Sequence, residues 1–366
     1  MKPRILHTES SLGWGGQENR TLNELSELQA RGYAPLLACP PQAKLGARAR
    51  EIGCEVIDVA MRGALDLPAL WALRRLMATR TIDIVNTHSG RDTQLAGMAA
   101  RSLGRQRPRI VRTRHLALPI SSRFSYVTLP DHVVTVSRFV ASYLISAGVP
   151  AERITAVPTG IDLSRYQTAT SGNLRAELGL ADTASLIGTV AILRRKKGHA
   201  ELLEAVPQVL EKFPAAHFVF AGDGPQFENL TRRIAELGLA SNVHLLGLRR
   251  DVVNVLASLD LFVLPTHQEA LGTAFIEAAA MGVPAIASNV DGVPEIVRHG
   301  ETGLLVPVGD SAAIAASIIR LLADAPLHHT MGAAARTWVE AHYSRQVMVD
   351  GMLAVYAKLL AAKDGR

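Results

Sequence analysis

The sequence predicts an α/β protein made of two doubly wound, parallel-sheet units. Two observations carry that expectation. Short apolar runs of strand length alternate with longer amphipathic stretches over most of the 366 residues, the pattern of parallel sheets with helices on both faces. The alternation pauses at a stretch rich in Thr, Ser and Gly, residues 162–172, and then restarts. A second unit of the same kind therefore follows the first.

In the first unit, residues 4–7, 34–38, 55–58, 82–87, 109–113 and 132–136 read as strands, because they are short apolar or β-branched runs suited to buried parallel positions. Residues 17–31, 67–79, 92–103 and 138–147 read as the helices between them. In the second unit the strands are 186–191, 217–221, 243–245, 261–264 and 284–287, again with helices between. Residues 273–281 form one of these helices, where alanines, Phe275 and Ile276 propagate well. Residues 344–363 carry a long helical pattern through Val347, Met348, Met352, Val355, Tyr356 and Leu359. Doubly wound sheets bind ligands at the carboxyl ends of their strands, so a cleft between two such units is the expected site.

Composition narrows the function. Apolar residues make up 48% and charged residues 20%, an ordinary globular balance. Two cysteines, Cys39 and Cys54, are too few for a disulfide framework or a cysteine zinc site, and a reduced cytoplasmic setting is expected. The start of the chain lacks the apolar segment of a signal peptide, and no apolar run reaches the ~18 residues that span a bilayer. The net charge of +6 is uneven. Residues 1–165 hold 22 basic against 13 acidic residues, and 62–123 alone hold 12 against 3. Such a field attracts an anionic membrane surface or an acidic acceptor. No zinc finger, helix-turn-helix spacing or aromatic RNA-binding pattern accompanies it, so no nucleic-acid partner is expected.

The most informative motif is Pro265-Thr266-His267-Gln268-Glu269-Ala270-Leu271-Gly272-Thr273-Ala274-Phe275-Ile276-Glu277. It sets Glu269 in a strand-to-helix turn and Glu277 about one turn inside the helix. Gly272 lets the backbone approach a ligand, and the free N–H groups at the helix start favour anionic or polar oxygens. Two carboxylates beside such donors suit a hydroxyl-rich ligand; a bare pair at this spacing also suits a solvated helix start. Gly13-Trp14-Gly15-Gly16, between a strand and a helix, is either a phosphate-facing loop or a structural turn, and it is not the G-x-G-x-x-G dinucleotide fingerprint. Arg194-Arg195-Lys196-Lys197-Gly198 offers cations for a diphosphate or is a solvated basic turn. His88 ends the strand 82–87; Arg112, Arg114 and His115 end the strand that follows. No two aspartates stand two apart and no histidine cluster has metal spacing, so neither a metal ion nor another cofactor is expected.

Together with Pro158-Thr159-Gly160-Ile161-Asp162 and Ala221-Gly222-Asp223-Gly224, these motifs resemble, in order and over nearly the whole chain, the GT-B retaining glycosyltransferases of the family 4 type, in the branch that builds lipopolysaccharide and other surface glycans. The resemblance implies a GT-B fold with two facing domains: residues 1–165 on the acceptor side, with 344–366 crossing back to pack on them, and residues 166–343 holding a nucleotide-diphosphate sugar. It places Glu277 on the ribose, Glu269 with Ala270, Leu271, Gly272 and Thr273 on the sugar, and Lys197 on the diphosphate; Arg194, Arg195 or the Gly15–Gly16 loop and helix start take the place of the family arginine that is absent at Ile192. The same resemblance puts Gly15 and Gly16 against the diphosphate and acceptor, and Leu248 and Arg249 in the segment that reads the base. His88 is then a catalytic contact to the transferred sugar, alongside Lys197 and Glu269. Arg112, Arg114 and His115, at an expected cleft-facing strand end, are candidates for binding an anionic acceptor or have a plain structural role. The sequence departs from the family pattern at Ile192, where arginine is common, and at Ala270, where glycine often stands. The implied reaction moves a sugar to a glycan or lipid-linked acceptor with retention, in the cytoplasm or on the inner face of the cytoplasmic membrane. Rival readings on the same sequence are a nucleotide-sugar epimerase, a nicotinamide oxidoreductase and a non-catalytic sugar-nucleotide binding module.

Overall fold

The computed structural model describes residues 2–116, 118–120, 122–167 and 172–364; part of the 162–172 link thus lies outside the described residues. The chain divides into two compact units, one of Met1–Ile161 with Ser344–Arg366 and one of Asp162–Tyr343.

The first unit holds seven strands: β1 (Ile5–Thr8), β2 (Leu36–Cys39), β3 (Glu55–Asp58), β4 (Ile84–Thr87), β5 (Arg109–Arg114), β6 (His132–Thr135) and β7 (Ile154–Ala156). They form one parallel sheet in the order β3-β2-β1-β4-β5-β6-β7. The direction of winding reverses between β1 and β4, which makes their carboxyl ends the crevice of this unit. Side chains alternate across the sheet. Ile5, Ile84, Val111 and Val134 pack with Met348 and Tyr356 on one face, while Leu6, Val85 and Ile110 pack with Leu73 and Leu95 on the other. The helix Arg345–Asp364 belongs to this unit. Its start is fixed where Ile161 bridges Ser344 and the Gly160 amide approaches the Met348 sulfur at 3.2 Å.

The second unit holds β8 (Leu186–Val190), β9 (His217–Ala221), β10 (Val243–Gly247), β11 (Leu261–Leu264), β12 (Ala285–Ser288) and β13 (Gly303–Val306). These are parallel in the order β10-β9-β8-β11-β12-β13. The winding reverses between β8 and β11. Phe218, Phe220, Leu261, Val263, Ile286 and Leu304 contribute to its core.

Both sheets carry an edge strand outside the predicted set. The Ile154–Ala156 strand has three half-buried residues, and β13 opens on a glycine. An edge strand needs neither a long run nor two buried faces, so its signal is weak. The helix Lys44–Glu51 is likewise unmarked, because half of its eight residues are charged. It binds the sheet through Leu45 and Ala49.

Candidate functional site

In the second unit the winding reversal places the ends of β8 and β11 side by side, and two loops meet there. After β8 the chain runs through Ile192, Arg194 and a single turn at Arg195–Lys197, then enters the helix His199–Leu210 through Gly198. Gly198 has φ +73°, and a Cβ there would collide with the Pro265 carbonyl oxygen. That close approach lets the Lys196 carbonyl accept from His267 N at 2.8 Å and from Thr266 Oγ1 at 2.9 Å. The stitched loops bring Lys197 Nζ onto Glu269 Oε2 as an ion pair, with both side chains 19% exposed. Arg194 and Arg195 stand exposed beside it, with no ion-pair partner among the described residues.

Glu269 is held from behind. Its amide donates to Asp291 Oδ2 at 2.9 Å, and its carbonyl accepts from Gly292 N at 3.1 Å. The chain then turns through Ala270 and Leu271 to Gly272, which caps the helix Thr273–Ala280 at φ +97°. That conformation is ordinary only for glycine. No side chain caps this helix start, so its first amides remain available to ligand oxygens. Leu271 is buried, and Thr273 and Ala270 are half-buried.

One turn into the helix, Glu277 accepts a hydrogen bond from the Tyr166 hydroxyl. Burial pushes its carboxyl up to about 7 from 4.5, against the opposing pull of Tyr166 and then Arg165. Burial, with the Glu277 charge second, also raises the Tyr166 phenol. Leu248 is 72% exposed at the end of β10. Its neighbour Arg249 is committed elsewhere: Nη1 and Nη2 reach the two Glu177 oxygens, and Nε and Nη2 reach Asp251 at 2.8 and 2.7 Å. Hydrogen bonds donated to these carboxylates raise its pKa.

In the first unit the corresponding crevice lies at the ends of β1 and β4. Gly15 caps the helix Gly16–Ala30 without a side-chain cap, and a Cβ on Gly16 would meet nothing within 4 Å. The loop before it is braced by buried Glu9, whose two oxygens accept from Ser11 N and Gln17 Nε2. Burial, then the nearby Asp92 charge, raises the Glu9 carboxyl to about 8.

His88, just past β4, is 3% exposed and has both ring nitrogens engaged. Its Nε2 lies 3.0 Å from His7 Nδ1, and its Nδ1 lies 3.1 Å from His115 Nε2. Burial is the first cause holding all three rings below their ordinary pKa. They run in file rather than converging, and no set of three metal-ligating side chains gathers among the described residues. The arginines beside them are pinned. Arg112 lies 3.6 Å over the Tyr126 ring and donates to Ser125 O at 2.8 Å. Arg114 donates to the carbonyls of Leu116 and Leu118 at 2.7 and 2.6 Å.

The structure thus brings Lys197, Glu269, Gly272, Thr273 and Glu277 into one neighbourhood, and His88 and His115 into another. It commits Arg112, Arg114 and Arg249 to braces. Sequence reasoning missed Tyr166, Glu9 and His7. Only His7 and Glu9 offered a signal, as polar residues at the end of the first apolar strand.

Comparison with known proteins identifies the family and the fold. The description "Glycosyl transferases group 1" matches residues 171–338, and "Glycosyltransferase Family 4" matches 14–165. The N-acetyl-alpha-D-glucosaminyl L-malate synthase of Bacillus anthracis is 27% identical over 81% of this chain and 80% of its own. The GDP-mannose-dependent alpha-(1-6)-phosphatidylinositol monomannoside mannosyltransferase of Mycolicibacterium smegmatis is 30% identical over 73% and 74%. The crystal structure of Anabaena HepE in complex with UDP and glucose superposes with a TM-score of 0.83 at 21% identity, covering 98% of this chain and all of that one. Two parallel-sheet units with these motifs at their winding reversals, matched along both halves, make this chain a member of the group 1 and family 4 glycosyltransferases of GT-B fold.

Proposed function

We propose that this glycosyltransferase moves a sugar from a nucleotide-diphosphate sugar to a hydroxyl of a glycan or lipid-linked acceptor, with retention and without a metal ion. The observation that carries the reading is the Lys197–Glu269 pair beside the uncapped helix start at Gly272, with the Glu277–Tyr166 pair one turn inside. Glu277 accepts from ribose hydroxyls, and Glu269 with the Gly272 and Thr273 amides holds the transferred sugar. Lys197 leaves Glu269 for the donor diphosphate and offsets the charge that develops as it departs. Arg194 or Arg195, exposed and without an ion-pair partner among the described residues, supplies the cation that Ile192 does not. Arg249 holds the loop on which the Leu248 backbone meets the base. In the first unit the amides at Gly15 and Gly16 favour anionic oxygens, and His115, with His88 behind it, serves sugar or acceptor hydroxyls, while Arg112 and Arg114 hold the wall.

The relatives' names, one for a GDP-mannose-dependent enzyme acting on a phosphatidylinositol mannoside, support a nucleotide-sugar donor and a lipid-linked acceptor in surface-glycan assembly. The UDP and glucose bound in the Anabaena structure support the donor half of that reading alone. No helix among the described residues is long and apolar enough to cross a membrane. Leu65, Leu67 and Trp71 are 78%, 72% and 59% exposed beside Arg62, Arg74 and Arg75. That combination supports peripheral docking on the anionic inner face of the cytoplasmic membrane. A thermal-shift screen against UDP-, GDP-, ADP- and TDP-sugars tests the donor reading. One donor class at 100 times its Kd should stabilise the protein by about 2.7 kcal/mol. No shift with any of them rejects the reading.

A further inference from the structure

The three imidazoles of the first unit form a line, and its two ends differ. At the inner end, His7 Nε2 is buried, lacks a hydrogen-bond partner and lies 3.7 Å from Glu24 Oε1. At the outer end, His115 Nδ1 has no bonded partner among the described residues and is not among the sealed, unpartnered atoms. Each interior contact joins one ring N–H to one ring lone pair. Fixing the proton at one end therefore fixes it along the whole line.

Glu24 fixes the inner end. The Thr113 hydroxyl donates to Asn86 Oδ1 at 2.8 Å, which orients that amide so that Nδ2 is the donor. Asn86 Nδ2 donates to the Tyr356 oxygen at 3.0 Å and reaches Glu24 Oε1 at 3.4 Å. The Tyr356 hydroxyl therefore gives its proton to Glu24 Oε1, at 2.7 Å. In this fully buried cluster Glu24 Oε1 accepts from the Tyr356 hydroxyl and from Asn86 Nδ2, and so acts as an acceptor. A lone pair on His7 Nε2 would face that oxygen with nothing between them, whereas an N–H there is attracted to it. Burial keeps the rings neutral, so each carries one proton.

We propose that Glu24 sets all three histidines in the Nε2–H tautomer, so that His115 presents an unprotonated Nδ1 as a hydrogen-bond acceptor for a ligand hydroxyl. His7 Nε2–H faces Glu24, His88 Nε2–H donates to His7 Nδ1, and His115 Nε2–H donates to His88 Nδ1. His88, with both nitrogens spent, acts through His115. Glu24 and His7 are positioning residues for that outward lone pair. The hydroxyl assignment rests on the proposed sugar chemistry; the tautomer assignment does not.

Nitrogen NMR of the full-length protein labelled at histidine reads each ring directly. The expected ligand-free spectrum shows protonated Nε2 and bare Nδ1 at His7, His88 and His115, each assigned by its single replacement. Nδ1–H at His115 overturns the proposal. Glu24→Gln retains an acceptor oxygen and should retain the pattern, while Glu24→Leu should admit the opposite tautomer in all three rings. An unchanged pattern in a folded Glu24→Leu protein overturns the role of Glu24; should that variant fail to fold, the wild-type spectrum still decides the tautomers. Addition of methyl α-glucopyranoside or methyl α-mannopyranoside should move the His115 Nδ1 signal. If neither moves it, the hydroxyl contact is wrong. Failure of the glycosyl-transfer reading would register separately, as absence of nucleotide-sugar binding with the tautomers intact.

Discussion

Glu277 makes a prediction that needs no substrate. Its carboxyl is raised from 4.5 to about 7, chiefly by burial. Between these values the folded chain holds a proton that the unfolded chain has released, so stability falls as pH rises through that window. Above pH 7 the full penalty is present. A shift of about 2.5 units corresponds to a ceiling of about 3 kcal/mol at 1.36 kcal/mol per unit. The side chain is half-buried rather than sealed, and solvent screening reduces the expected effect to about 1–2 kcal/mol. Glu277→Gln removes the charge and keeps an oxygen for the Tyr166 hydroxyl. The variant should therefore be more stable than wild type at pH 8 by about 1–2 kcal/mol, with little difference at pH 4.5. Denaturant unfolding followed from pH 4.5 to 8 measures this. Nucleotide-sugar affinity should move the other way, since a ribose-binding carboxylate must be ionised: wild-type affinity rises through pH 7, and Glu277→Gln binds more weakly throughout. Parallel stability profiles for the two proteins would refute the buried-carboxyl argument. Equal nucleotide-sugar affinity would refute the ribose assignment.

Lys197→Ala should lower turnover at saturating donor by ~10²–10³-fold, the scale for losing one preorganised charge. Its stability cost should be only about 1 kcal/mol, because the partner Glu269 keeps access to water; turnover near that of wild type would reduce the 194–198 turn to a solvated loop. Arg194→Ala and Arg195→Ala, measured alongside, show which cation stands in at Ile192: a loss comparable to that of Lys197→Ala identifies it. Transfer should survive a chelator at saturating donor, and loss restored by magnesium or manganese would contradict the proposed metal-independent site. Binding to anionic vesicles should fall steeply with salt, as screening shortens the field to about 8 Å at physiological ionic strength, and equal partition to neutral vesicles would reject docking through the basic first unit.

The sequence by itself determined the architecture. A central parallel strand such as Leu261–Leu264 is buried on both faces, so it reads as an unbroken apolar run. The helices between such strands, and the pause and restart near residue 162, then follow. Short edges escaped: Ile154–Ala156 is three half-buried residues long, and Gly303–Val306, though apolar, is four residues opening on a glycine. The Glu269–Glu277 motif was legible because its residues lie within one turn and one helix. Local spacing carries geometry only over such distances.

Tertiary structure alone decided how distant polar groups use one another. Lys197 meets Glu269 across 72 positions, and Tyr166 reaches Glu277 from an element far earlier in the chain. Arg249 is taken by Glu177, also 72 positions away, and Arg112 by the Tyr126 ring and Ser125. His88 stood out from the sequence as a lone histidine at a strand end. Strand order makes it the middle of three, because β1, β4 and β5 are neighbours in space although 81 and 27 residues separate the ring pairs. A side chain's hydrogen-bond capacity is set by its type, but which partners consume it depends on the sheet order that folding imposes.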